Sequence, residues 1–414
     1  MKYLLKNGRV WSKGKGVKHD LYIEGDRIVA GFGESEADRV IDAQGLDIFP
    51  GFVDLHCHLR EPGFSAKETV KTGTKAAAKG GFTTVLAMPN TKPVLDSVWE
   101  MENFLRYLED QAIIRVLPVA PLTKGRLGRE IADLASLSTL GIRFASDDGN
   151  DLQSASLMKN VLAYASDHNY TVLSHAEESS LAKGYFHAGC LTRDYGIPGI
   201  PSSSESVAVS RNMLLAKEVG AKIHFCHLSA RESVHLIKLG KELGINLTAE
   251  VTPHHLFYAD SDVRPFDTTY KVNPPLREIE DRNSLREALK SGLIDVVATD
   301  HAPHTQKEKE QSISEAPFGI SSIEIAASIV HTLYLDPKII YARFCEGPYR
   351  ILGEENDLLE NQKADVTVFD SQRKVVVNRE NWVSLGKNNP YFGQNLQGKV
   401  LLTIKGGQIV YEHS

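Results

Sequence analysis

Cysteine is scarce and scattered: Cys57, Cys190, Cys226 and Cys345 are the four in 414 residues, and no two share a CxxC spacing. That pattern excludes a disulfide framework and a thiolate zinc knuckle, and reduced thiols are expected. Cys57 and Cys226 stand beside histidines. Neighbours in an extended strand point to opposite faces, so both cysteines are expected to pack away from anything those histidines hold. No stretch of about 18 apolar residues occurs, which excludes a conventional membrane-spanning helix. The first ten residues lack the apolar core of a signal peptide, and cytoplasmic residence is the expectation. Runs of Lys and Arg are absent too. With 47 basic against 53 acidic residues the formal net charge is -6, which offers no docking surface to nucleic acid or an anionic membrane and points to small-molecule partners.

What is present is ordinary globular material, 42% hydrophobic and 24% charged, arranged in two rhythms. Short β-type segments broken by glycine occupy the start (Tyr3–Leu5, Asp20–Ile23, Arg27–Ala30, Arg39–Ile41) and return at the end (Asp365–Phe369, Lys374–Val377, Val400–Ile404, Gln408–Tyr411). The two ends are expected to pair into one small β-sandwich domain, residues 1–50 with 360–414. Between them, apolar β-branched runs alternate with helical patterns at Ala66–Gly80, Ser97–Asp110, Ala155–His168 and Ser204–Val219. The strand candidates are Phe52–His58, Thr83–Pro89, Ile114–Ala120, Ile142–Asp147, Thr171–His175, Lys222–His227, Asn246–Val251 and Val296–Asp300. Eight parallel strands over about 250 residues predict an α/β fold, a TIM-like (β/α)8 barrel over residues 51–359.

Polar residues gather at the carboxyl ends of these strands, where such barrels carry their active sites. His56 and His58 end the first strand, and a two-residue spacing turns both imidazoles to one face. Asp147 or Asp148 ends the fourth strand, His175 the fifth, His227 the sixth and Asp300 the eighth. A lone strand-end His or Asp is ordinarily a capping or core group, but five such ends together call for an ion. Four histidines and two carboxylates without a Cys ligand suit Zn²⁺ held open to water, with Mn²⁺ or Co²⁺ as alternatives and one or two ions. A metal ion lowers the pKa of bound water and polarises a carbonyl, chemistry that hydrolyses an unreactive amide. Asp300 is the candidate proton carrier between that water and the leaving nitrogen.

At these residues the chain resembles the amidohydrolase superfamily, through Gly25-Asp26-Arg27-Ile28, Pro50-Gly51-Phe52-Val53-Asp54, His56-Cys57-His58 and Ala364-Asp365-Val366. More narrowly it is similar to the long-chain bacterial dihydroorotases. That likeness runs through Leu59-Arg60-Glu61-Pro62-Gly63, Met88-Pro89-Asn90-Thr91, Val251-Thr252-Pro253-His254-His255, Asn273-Pro274-Pro275-Leu276-Arg277, Asp300-His301-Ala302-Pro303-His304 and Ala316-Pro317-Phe318-Gly319. The resemblance implies reversible conversion between L-dihydroorotate and N-carbamoyl-L-aspartate in pyrimidine (UMP) biosynthesis. It implies metal ligands at His56, His58, Asp148, His175, His227 and Asp300, with Asp148 chosen over Asp147. It implies substrate contacts at His58, Arg60, Asn90, Asn273, His304, Phe318 and Gly319. An arginine two residues beyond the metal pair suits a bidentate carboxylate, and Asn90 can share that load. Asn273 taken alone reads equally as a turn residue before Pro274-Pro275. His254 and His255 are expected to pack around the site rather than bind metal. The polar segment Thr305–Pro317 reads as a mobile lid or as a solvated loop.

Two other readings share this pattern. Hydantoinases, dihydropyrimidinases and allantoinases have the same fold and His-x-His pair but usually bridge two metals with a carboxylated lysine on the fourth strand. Phe144-Ala145-Ser146-Asp147-Asp148 offers none. A non-catalytic scaffold for aspartate transcarbamoylase would have lost ligands, and every ligand position here is filled. A homodimer, or association with aspartate transcarbamoylase as an active enzyme, stays open at this stage.

Overall fold

Strands from both chain ends meet in one sheet. In the computed structural model, which describes residues 1–413, Asp47–Pro50 and Val366–Val376 pair antiparallel, from Pro50 opposite Val366 to Asp47 opposite Phe369. They form the middle of a six-stranded sheet ordered Gln408–Glu412, Asn395–Lys405, Val366–Val376, Asp47–Pro50, Arg9–Ser12 and Lys15–Lys18. Four further N-terminal strands make a second sheet, ordered Arg27–Val29, Leu21–Glu24, Lys2–Lys6 and Arg39–Asp42. Leu5, Ile23, Ile48, Val366 and Ile404 are buried in the core of this unit. The expected strands Asp365–Phe369 and Lys374–Val377 are one continuous strand. Its register shifts between Asp370 and Lys374, and that irregularity absorbs the polar Gln372-Arg373 step.

All eight alternating strands of the central region form, each within a few residues of expectation. They are Phe52–Cys57, Phe82–Ala87, Arg115–Pro118, Phe144–Ala145, Thr171–Ser174, Lys222–Phe225, Leu247–Val251 and Val296–Val297. The first three pair as one parallel sheet and the other five as another. Parallel bridges Ala120–Ala145 and Cys57–His301 join the edges of these sheets, so strand order runs round a ring. The architecture is α/β with helices between successive parallel strands. Helices Val70–Lys79, Val98–Gln111 and Ala155–Asp167 start where Thr69, Ser97 and Ser154 accept the N–H of Thr72, Glu100 and Leu157. Ser203–Val219 stops at Gly220, whose φ of +69° a side chain would resist.

At the amino ends of the ring strands a hub of wholly buried phenylalanines joins the two units. Phe52 packs on Phe49, Phe82 and Phe344 with ring centroids 5.7, 6.0 and 5.4 Å apart. Burying each such side chain contributes about 1.5–3 kcal/mol, so the hub fastens the terminal strands to the ring at the face opposite the polar strand ends. Among the described residues no helix is long and apolar enough to cross a membrane.

Candidate active site

The strand ends bring the six expected ligands together. His56 Nε2 lies 3.3 Å from Asp148 Oδ1 and 3.6 Å from Asp300 Oδ1, while His58 Nε2 lies 2.9 Å from Asp300 Oδ1 and 3.5 Å from Asp148 Oδ2. His175 Nδ1 sits 2.8 Å from His227 Nε2, and both lie within 3.7 Å of Asp148 Oδ1. Asp147 turns the other way: its carboxylate accepts the N–H of Leu122 and Thr123 and the Thr123 hydroxyl, a structural strand-end role.

Whether this set fits an ion is tested by its unmet polar atoms. His56 Nε2, Asp148 Oδ1 and His175 Nε2 are buried without a hydrogen-bond partner. The groups His56/Asp148/His227 and His56/His58/Asp300 each hold their ligand atoms within 4.8 Å of one another. Electrostatics agrees. Burial opposes charge on His56, yet Asp148 and Glu250 pull its pKa well above the usual value. Burial likewise opposes charge on His175, but Asp148 and Glu177 raise it to about 10. Asp148 and Asp300 are held low by the surrounding imidazoles in spite of burial. Buried carboxylates that demand positive charge among convergent nitrogens fit a divalent cation.

Several supporting groups received no role in the site from sequence. Glu250, at the end of the seventh strand, accepts from His56 Nδ1 at 2.8 Å and from His224 Nε2 at 2.9 Å. That bond places the His56 proton on Nδ1 and turns Nε2 to the centre. Asp54 accepts the Thr299 N–H at 2.8 Å and the His56 N–H at 3.2 Å, tying the first strand to the eighth. Cys226 corrects the expectation of an outward thiol: its sulfur groups with His56 and Glu250 inside the ring. The cause is backbone geometry. His227 has φ +34°, which breaks strand alternation and sends consecutive side chains inward. Cys57 does pack in the apolar core as expected.

Above the ligands lies a cavity of about 190 Å³. It is lined by His58, Asp148, His175, His227 and Asp300, and also by Arg60, Asn90, Asn273, His304, Phe318 and Gly319. His56 sits beneath it. His58 Nδ1 donates to Asn90 Oδ1 at 2.9 Å, which leaves the Asn90 NH₂ free to donate. Arg60 Nε donates to Pro303 O at 3.2 Å. His304 Nε2 donates to Phe318 O at 2.8 Å. Glu177, unforeseen, accepts from Asn273 Nδ2 at 2.8 Å. His255 bonds Thr252 Oγ1 and Pro274 O, and His254 is buried with neither ring nitrogen paired; neither joins the ligand groups.

The loops forming this wall are held from behind. Asn388 lies in the strandless stretch 378–394, which sequence places with the terminal strands. It donates to Ala302 O and Gly319 O at 2.9 and 3.0 Å and accepts the His304 N–H at 2.8 Å. Segment Thr305–Pro317 is anchored. Gln306–Lys309 is a short helix, Lys309 Nζ donates to Pro317 O at 2.9 Å, and Lys271 Nζ donates to Ala316 O and to Ile313 O.

A family model described as dihydro-orotase-like matches residues 45–233. A dihydroorotase of Bacillus licheniformis is 42% identical over 422 residues, covering 100% of this chain and 99% of that protein. The chain belongs to the dihydroorotase family. A second family member, from Caldanaerobacter subterraneus subsp. tengcongensis, is 44% identical over 379 residues, covering 90% of this chain and 88% of its own. Among solved structures, the dihydropyrimidinase of Brevibacillus agri superposes with a TM-score of 0.84 at 23% identity, over 100% of this chain and 95% of that one. The L-hydantoinase of Arthrobacter aurescens gives 0.87 at 23%, over 99% and 96%. Those likenesses are of fold alone.

Proposed function

We infer that the chain is an enzyme that interconverts L-dihydroorotate and N-carbamoyl-L-aspartate with the help of a metal ion. The observation that carries this reading is the union, in one cavity, of the His/Asp cluster with a carboxylate-binding wall. Arg60, held through Nε on Pro303 O and Nη2 beside His304, lines the same cavity as Asn90 and Asp300. Dihydroorotate brings one carboxylate beside a cyclic imide, which matches that division.

His56, His58, Asp148, His175, His227 and Asp300 would hold Zn²⁺, as one ion or two, with Mn²⁺ or Co²⁺ as substitutes. Bound there, the metal would supply Lewis-acid polarisation of the ring carbonyl and would acidify a water. The chain's own residues do the rest. Arg60, Asn90 and His304 grip the carboxylate and fix the ring. Asn273 and the main chain at Phe318 and Gly319 define the opposite edge. In ring opening, the oxygen of water bonds to the carbonyl carbon and the ring carbon–nitrogen bond breaks. Asp300 carries one water proton to the ureido nitrogen, and the other leaves as the new carboxyl ionises. Ring closure runs the same steps backwards.

The ring of strands reads as a complete (β/α)8 barrel spanning 51–359, with the terminal strands of 1–50 and 360–414 as its composite β-sandwich companion. A role in de novo pyrimidine synthesis would put its work in the cytoplasm. A hydantoinase reading has the fold in its favour, but the fourth strand ends in Asp148 where those enzymes usually place a lysine.

The deciding experiment is a spectrophotometric dihydroorotate assay on metal-depleted protein, with each metal restored in turn and bound metal counted. Zinc should restore the most activity. Efficient opening of hydantoin or allantoin with dihydroorotate untouched would overturn the assignment. Sedimentation of the same protein, alone and with aspartate transcarbamoylase, tests for a homodimer and for that complex.

A further inference from the structure

The side chains of Glu177 and Asn273 meet at the rim of the cavity. Asn273 Nδ2 donates to Glu177 Oε1 at 2.8 Å, while Asn273 Oδ1 is buried with no partner and Asn273 lines the cavity. An asparagine amide is nearly symmetric in shape, and only its hydrogen-bond partner decides which end faces where. Glu177 Oε1 accepts from the amide, so it draws the NH₂ towards itself and leaves the carbonyl oxygen to the cavity.

We propose that Glu177 is a positioning residue that sets the polarity of Asn273, so that the pocket presents an acceptor and selects cyclic amides carrying a ring N–H at that edge. The assignment rests on the reading of the cavity as a dihydroorotate site and adds to it the reason one edge of the ring is recognised. Glu177 reaches the substrate only through Asn273. Its second oxygen, Oε2, lies 3.7 Å from His175 Nε2, so a competing role as a support for that histidine has to be separated experimentally.

A substrate pair separates them: dihydroorotate, and its analogue methylated on the ring nitrogen that is not cleaved. In the unmodified enzyme the missing N–H leaves the Asn273 oxygen unpaired, and the analogue should be opened with a markedly lower kcat/KM. Glu177→Ala frees the amide to turn. It should lower kcat/KM for dihydroorotate about tenfold, mainly through KM, which is the scale of one lost hydrogen bond. It should leave the methylated analogue almost unchanged, so selectivity collapses. Glu177→Gln retains an acceptor oxygen and should keep selectivity within about threefold of the unmodified enzyme. Bound metal per chain should be the same in all three proteins. The proposal is overturned if Glu177→Ala slows both substrates equally, leaves both unchanged, or loses metal, the last of which would assign Glu177 to His175. A protein that opens other cyclic amides but not dihydroorotate overturns the functional reading instead. The same N–H and N-methyl pair on the ring it does open then decides the role of Glu177.

Discussion

The floor of the cavity is carried by the ends of short strands and fixed by buried carboxylates, whereas its wall is carried by loops and fixed through main-chain carbonyls. On the floor, Glu250 orients His56, and Asp54 stitches the first strand to the eighth. On the wall, Arg60 leans on Pro303 O, His304 on Phe318 O, and Asn388 and Lys309 bind the loop carbonyls from behind. The floor is therefore set by ring geometry and tolerates little displacement. The wall is set by how distant segments dock, and it meets the ion site where Asn90 accepts from His58 and where Glu177 stands 3.7 Å from His175.

Three substitutions test that division. Asp300→Asn, on the floor, should lower kcat by about a thousandfold, the scale of a lost proton carrier, with far-UV circular dichroism unchanged. Retained turnover would remove Asp300 from that role. Arg60→Lys, on the wall, replaces a planar fork with a point charge. It should raise KM about tenfold while kcat stays within about threefold, read from steady-state kinetics. A kcat loss as deep as that of Asp300→Asn would erase the distinction between floor and wall. Lys309→Met should have the smallest effect and report on the support behind the wall. Burial, reinforced by neighbouring Lys271, brings the Lys309 pKa from 10.5 down to about 7. Between those values the unfolded chain holds a proton that the folded chain has released. Stability therefore rises with pH across the window, by at most about 1.4 kcal/mol per pH unit. Urea midpoints at pH 7 and pH 9 should show this rise in the unmodified chain and a flatter response in the variant.

The same division explains what could be read from sequence. All eight ring strands and the gathering of His56, His58, His175, His227 and Asp300 on the floor were legible because strand periodicity and a fixed carboxyl end convert spacing into position, whereas the choice of Asp148 over Asp147 came from family likeness. Glu250 was not, because a carboxylate inside Thr248-Ala249-Glu250-Val251 looks like any polar strand residue until the ring closes and sets it against His56. Cys226 was misplaced because alternation holds only while φ stays extended, and nothing in Phe225-Cys226-His227 announces the turn to +34°. The wall residues Arg60, Asn90 and Asn273 came from family likeness, since loops obey no period. Asn388 and the buried Lys271 and Lys309 were missed for the same reason. Strand Lys15–Lys18 carries Gly and Lys of low β propensity, and it is recovered only by its pairing with Arg9–Ser12.

The pairing of Asp47–Pro50 with Val366–Phe369 also has a consequence for the newborn chain. On the ribosome the early strand emerges roughly 300 residues before its partner, an interval on the order of tens of seconds at typical synthesis rates. Throughout that time Ile48 and Phe49, both fully buried at the end, stand at an open edge with no strand to close it. Emergence of Val366–Phe369, rather than growth of the ring, is the event that seals this seam, and the nascent polypeptide is the stage at which a holding chaperone has most to protect.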